Sequence, residues 1–147
     1  MSTKQGAVVG SKNASLLWGL FFLRFGLGLC LALWAVDKFI APEQTVKLFQ
    51  TFYRVTISPS LAIMAGALEL VLGLLIIFGM YKTITYGAGL LIYTISTIMI
   101  YSQLITPFGN NHLVLDAIPL VFAFFALFLL REFDTKLSLG RRKSLFI

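Results

Sequence analysis

Arg24 interrupts an apolar run that opens at Leu16, and Glu69 interrupts a second run from Ser60 to Met80. A charge in such surroundings is costly unless it pairs, faces a bundle interior or serves a pathway, so both are candidate sites. With a helical rise of about 1.5 Å per residue, Arg24 lies roughly 12 Å from one end of its run and Glu69 roughly 16 Å from the matching end of an antiparallel neighbour. These depths predict an intramembrane ion pair in which a planar guanidinium grips a carboxylate through two hydrogen bonds. Two chemistries stay open: a structural clamp, or a place where a ligand or proton meets the pair. Small residues flank both charges. Arg24, Gly28, Leu31, Ala35 and Lys38 share one stripe, and Ala62, Gly66, Glu69 and Gly73 share another, a pattern that lets helices approach closely or leaves a narrow cavity.

Further along, Tyr86, Tyr93, Thr97 and Tyr101 fall on one helical face. Phenols at depth, rather than only at an interface, predict either aromatic packing with satisfied hydroxyls or a pocket for a flat polar headgroup such as a quinone, lined by Tyr93, Thr97 and Tyr101. At the other end, Asp37 and Lys38 close the first run while His112 and Asp116 introduce the last, and the four are expected to meet as an external polar cluster. Asp116 in a first helical turn is also explained by the helix dipole. His112 is the single histidine, so a two-histidine haem within one chain is excluded. Cys30 is the single cysteine; an internal disulfide, a dithiol relay and a cysteine-based zinc site are excluded, and no metal site is expected. Any redox centre has to be borrowed, and no cofactor is expected to be built in.

The elements that carry these residues must be membrane helices. Of 147 residues, 59% are hydrophobic and 12% charged, and the mean hydropathy is +0.91. Soluble domains average about 45–50% apolar and 25% charged residues, so lipid has to solvate the excess. Spans are expected at about Leu16–Ile40, Ser60–Met80, Thr83–Ile105 and Leu113–Leu130. The expected fold is an all-α, four-helix integral membrane bundle over 16–130, with an N-terminal tail over 1–15 and a basic C-terminal tail over 131–147. The first run exceeds the roughly 7–15 apolar residues of a signal peptide and carries Arg24, so it is read as a retained helix.

The link from Ala41 to Pro59 is long enough for structure. It opens on Pro42 and Glu43, then places Lys47, Gln50, Thr51 and Arg54 on one face and Val46, Phe49, Phe52 and Tyr53 on the other. This predicts a short interfacial helix, either a connector or a lid. Eight basic residues (Lys4, Lys12, Lys82, Arg131, Lys136, Arg141, Arg142 and Lys143) fall on one side of the expected spans and three (Lys38, Lys47 and Arg54) on the other. The bias places both termini in the cytoplasm. The net charge of +6 is then explained by anionic lipid headgroups, and no nucleic-acid motif is present.

Three motifs in order carry a family resemblance: Arg24-Phe25-Gly26-Leu27-Gly28 with Asp37-Lys38-Phe39, then Gly66-Ala67-Leu68-Glu69-Leu70-Val71-Leu72-Gly73-Leu74 running into Phe78-Gly79-Met80, then His112-Leu113-Val114-Leu115-Asp116. In these the chain resembles the DoxX-like family of small four-helix membrane proteins, over about Leu16 to Leu130. The resemblance implies a bacterial or archaeal cytoplasmic (inner) membrane location and an accessory, redox-linked or quinone-interacting role, since the family is named after a subunit linked to thiosulfate:quinone oxidoreductase. It implies that a quinone headgroup or proton would meet Arg24 and Glu69, with Tyr93 and Thr97 in support. The alternatives are a non-catalytic scaffold or assembly factor, or a small-solute carrier. The implied partners are the bilayer, membrane or redox proteins, or further copies of the chain.

Overall fold

The structure, a computed structural model, describes residues 2–106, 108 and 114–140, with side chains from Asn13 onward. Every regular element among them is helical: α1 (Ser2–Ile40), α2 (Pro42–Leu48), α3 (Pro59–Ile77), α4 (Lys82–Met99), α5 (Tyr101–Ile105) and α6 (Ala117–Leu129). Helix α1 packs along α3 and α4 along α6, and the two pairs meet through α1 with α6 and α3 with α4. Two segments, Asn13–Ile40 and Pro59–Ile77, are long and apolar enough to cross a membrane.

The core is narrow. Leu20, Leu27, Leu31, Ile76, Tyr86, Phe124 and Leu127 form its buried centre. Outside it, large apolar side chains point away from the protein: Leu68 and Ile84 are each 72% exposed and Phe122 is 67% exposed. Such a surface would drive aggregation in water and is stable in hydrocarbon.

Close packing between α1 and α3 comes from the small-residue stripes. A Cβ at Gly28 would lie 2.8 Å from the Gly73 carbonyl oxygen, and one at Gly66 would lie 3.1 Å from the Ala35 carbonyl oxygen. The backbones touch, so both glycines are needed for the approach. Helix α3 starts with Ser58, whose hydroxyl accepts from the Leu61 N–H at 3.2 Å, followed by Pro59 at the first helical position. It ends in a Schellman turn: the Met80 N–H reaches the Leu75 carbonyl, the Gly79 N–H reaches Ile76, and Gly79 takes φ +63.

Four expected boundaries change, and one of them is the end of the second span, where α3 stops at Ile77 and not at Met80. Helix α1 begins at Ser2, not near Leu16. The third expected span, 83–105, breaks at Ile100 (φ −96, ψ 17), so Tyr101 opens the separate turn α5. One turn before the break, the Thr97 hydroxyl donates to the Tyr93 carbonyl at 2.7 Å, a back-bond that bends helices. The last helix starts at Ala117; Leu113 lies outside the described residues.

The link after α1 is helical as expected. Helix α2 continues through a π-helical turn, Phe49–Tyr53, and stops at Arg54 with φ 55. Lys47, Gln50, Thr51 and Arg54 are exposed, while Val46, Phe49, Phe52 and Tyr53 are half-buried and Thr45 is buried. Helix α2 rests against both α1 and α3.

The largest departure is the C-terminal segment. The described part of the expected tail, 131–140, folds back as a strap over the end of α3 and the start of α4. The Leu139 N–H donates to the Phe78 carbonyl at 2.9 Å and the Gly140 N–H to the Gly79 carbonyl at 3.1 Å.

Candidate functional site

Arg24 and Glu69 do not pair. The side chain of Arg24 is fully buried and its partner is Asp134 of the strap, also fully buried: Nη1 donates to both carboxylate oxygens, at 2.9 and 3.0 Å. Glu69 instead accepts from Lys38 at 2.5 Å, in a pair whose side chains are 13% and 17% exposed. The cause is axial register. Gly28 against Gly73 and Ile77, and Gly66 against Ala35 and Lys38, set Glu69 beside the α1 stretch near Trp34, roughly 15 Å along the axis from Arg24. Arg24 is level with Gly79, whose added Cβ would sit 2.7 Å from Nη1. Leu16 and Met80 are not level ends: α1 runs on past Leu16, and the observed register sets Arg24 about two turns farther along the axis from Glu69 than level ends would.

Asp134 gathers groups from several elements. Its Oδ2 also accepts from the Tyr86 hydroxyl of α4 at 2.5 Å, and its backbone carbonyl accepts from Lys82 Nζ. The second terminal nitrogen of Arg24 donates to the carbonyls of Lys136 and Leu137, at 3.0 and 3.1 Å. Leu137 holds φ 48, a left-handed conformation costly for a branched side chain. Ser138 donates to the Gly79 carbonyl at 3.0 Å, and the Phe21 ring covers the guanidinium, its centroid 5.5 Å from Cζ. Arg24 Nε is buried without a partner among the described residues.

Lys38 and Glu69 form the second polar centre, roughly 20 Å away along α1. Lys38 also donates to the Trp34 carbonyl at 3.3 Å and lies 5.7 Å from the centroid of that ring. Between the two centres α1 buries the apolar Leu27, Leu31 and Ala35.

The remaining expected residues separate. Tyr93 stacks on Phe124 at 5.0 Å, and its hydroxyl meets Cys30 Sγ at 3.4 Å. Thr97 is engaged by its own helix, and Tyr101 is exposed beyond the break. The three are not gathered as a headgroup pocket; the bend at Ile100 and the fit of Tyr93 against Phe124 disperse them. Lys38, expected in the external cluster, is turned toward Glu69. Asp37 lines a shallow recess of about 320 Å³ with Gln44, Thr45, Lys47, Leu48, Thr51 and Phe52. Asp116 is exposed and makes no side-chain cap bond to α6; His112 lies outside the described residues. No group of three or more metal-ligating side chains occurs among the described residues.

Asp134 and Lys82 are the site residues that sequence reasoning missed; Tyr86 was singled out as a phenol at depth, but not as the donor to a carboxylate. One signal was available: Asp134 follows the last apolar run closely, on the side where Arg24 emerges.

The sequence model of the family described as DoxX matches residues 19–103. That stretch includes Arg24, Lys38, Glu69, Lys82 and Tyr86 and stops short of the strap. No curated protein and no solved structure matches the chain.

Proposed function

The chain belongs to the DoxX family of membrane proteins, and on that footing we propose that it is a non-catalytic accessory or assembly subunit of a redox complex in a bacterial or archaeal cytoplasmic membrane. In this reading α1, α3, α4 and α6 cross the bilayer as a four-helix bundle. The strap and the residues preceding Asn13 lie in the cytoplasm, and α2 lies on the outer surface.

The observation that carries the accessory role is that Arg24 and Glu69, the charges suited to a ligand, each have an ion-pair partner within the chain. What the fold offers to others is its apolar exterior, including the exposed aromatics Trp18, Phe22 and Phe25 along α1. A quinone at Arg24 is the weaker reading, because Asp134, Lys136 and Leu137 already occupy both terminal guanidinium nitrogens. The redox association rests on the family motifs, and the orientation rests on the bias of basic residues.

Purification in mild detergent followed by mass spectrometry of co-purifying proteins and lipids tests the role. A membrane oxidoreductase subunit recovered in stoichiometric amount is expected. Recovery of quinone with no protein partner would favour a ligand site, and recovery of the chain alone as an oligomer would favour self-association.

Topology has a separate check in a Cys30→Ser background. Impermeant thiol labelling of intact cells should modify Gln50→Cys and Thr51→Cys strongly and Thr45→Cys weakly. Glu132→Cys, whose native side chain is 61% exposed, should react only after lysis. Labelling of position 132 and not 50 in intact cells reverses the orientation, and uniform reactivity from 43 to 55 removes the interfacial helix.

A further inference from the structure

The strap is held differently from the four long helices. Helices α1, α3, α4 and α6 bury apolar side chains against one another, whereas Phe133, Leu137 and Leu139 of the strap are 58%, 65% and 69% exposed. What fastens the strap is polar: the Asp134 carboxylate, the carbonyls of Asp134, Lys136 and Leu137, the Ser138 hydroxyl, and two amides that reach the Gly79 turn. A segment with few buried apolar contacts opens at lower free energy than the helices beneath it. The receiving side belongs to the helices. Arg24 projects from α1, Tyr86 and Lys82 from α4, and Gly79, by lacking a Cβ, leaves room for the Arg24 guanidinium and for Ser138 of the strap.

We propose that Arg24, Tyr86 and Lys82 form a carboxylate-binding site whose occupant in this structure is the chain's own Asp134. The chemistry selects a carboxylate: a guanidinium nitrogen contacts both of its oxygens, a phenol donates to one of them, and the Lys82 ammonium, held on the backbone carbonyl of Asp134, adds a second positive charge nearby. Two further observations make the strap a replaceable occupant and not an inseparable part of the site. Arg24 Nε is buried and unused, so the guanidinium has a donor left for a differently placed acceptor. Leu137 sits in the left-handed region, so the strap holds backbone strain that release would relieve. Opening the strap exposes a preformed site for a carboxylate, and Asp134 is its built-in competitor.

Chemical rescue tests this on the purified chain in detergent. Asp134→Ala should lower the melting temperature, and added formate should raise it again with saturable dependence, by about 5 °C. Chloride at equal ionic strength and the neutral formamide should not. Adding Tyr86→Phe or Lys82→Met to Asp134→Ala should weaken formate rescue several-fold, and the unsubstituted chain, whose site is filled, should show no formate-specific shift. If Asp134→Ala does not yield folded protein, the same titration on Asp134→Ser provides the reading. A folded variant that formate stabilises no better than chloride overturns the proposal. So does rescue that survives both Tyr86→Phe and Lys82→Met, because the carboxylate would then be acting elsewhere.

Discussion

Arg24→Ala should destabilise the protein by roughly 3–5 kcal/mol, because it leaves the Asp134 carboxylate buried without its cation. Asp134→Ala should fall in the same range, since the guanidinium would keep only the Lys136 and Leu137 carbonyls. A double-mutant cycle on Arg24 and Asp134 should show strong coupling, the pair losing far less than the sum of the two single changes. The same cycle on Arg24 and Glu69 should be additive within about 0.5 kcal/mol, as for sites sharing no partner. Denaturant or thermal unfolding in detergent measures both. Coupling between Arg24 and Glu69 that exceeds coupling between Arg24 and Asp134 would refute the pairing seen in the structure. Removing Asp134 and Arg24 together should not restore full stability, because Tyr86 and Lys82 also lose an acceptor or a neighbour.

The second large effect lies at the contact of α1 and α3. In Gly73→Ala the new Cβ meets the Gly28 carbonyl oxygen at 2.8 Å and the Ala32 nitrogen at 3.0 Å. Both are backbone atoms of a helix, so relief requires the helices to separate, and overpacking of this kind costs about 1–3 kcal/mol. Gly73→Val should cost more. Gly26→Ala is the matched control: nothing lies within 4 Å of its added Cβ, and alanine is favoured over glycine in a helix by up to about 1 kcal/mol, so stability should hold or rise. A shift of α1 along α3 would also move Lys38 relative to Glu69, so Gly73→Val should weaken the coupling of that pair. Equal tolerance of alanine at 26 and 73 would show that the helices do not touch where the structure places them.

Several features could be read directly from the residue order. The stripe of Arg24, Gly28, Leu31, Ala35 and Lys38 does face α3, and the stripe of Ala62, Gly66, Glu69 and Gly73 does face α1, because side-chain direction in a helix follows from spacing alone. The two faces of the segment after α1 were legible for the same reason: Lys47, Gln50, Thr51 and Arg54 point outward while Val46, Phe49, Phe52 and Tyr53 pack inward. That a short turn joins α3 and α4 was legible from the close spacing of the two apolar runs, but it begins at Phe78, with Gly79 at positive φ, and not after Met80.

Which partner each charge takes was not legible, because spacing within a helix says nothing of how far one helix slides along another. The interlock of Gly28 with Gly73 sets that slide, and it moves Glu69 away from Arg24 and into reach of Lys38. Asp134 was hidden for a second reason. It lies outside any periodic element, in a strap whose path is set by bonds to the Gly79 turn, Tyr86 and Arg24, groups that become neighbours only once α1, α3 and α4 are packed. Residue order by itself determined which faces are apolar, which are small and which carry charge. Only the packed helices decided that Arg24 is neutralised by the strap and Glu69 by Lys38, because a buried charge is satisfied by whatever donor or acceptor the tertiary register brings within about 3 Å.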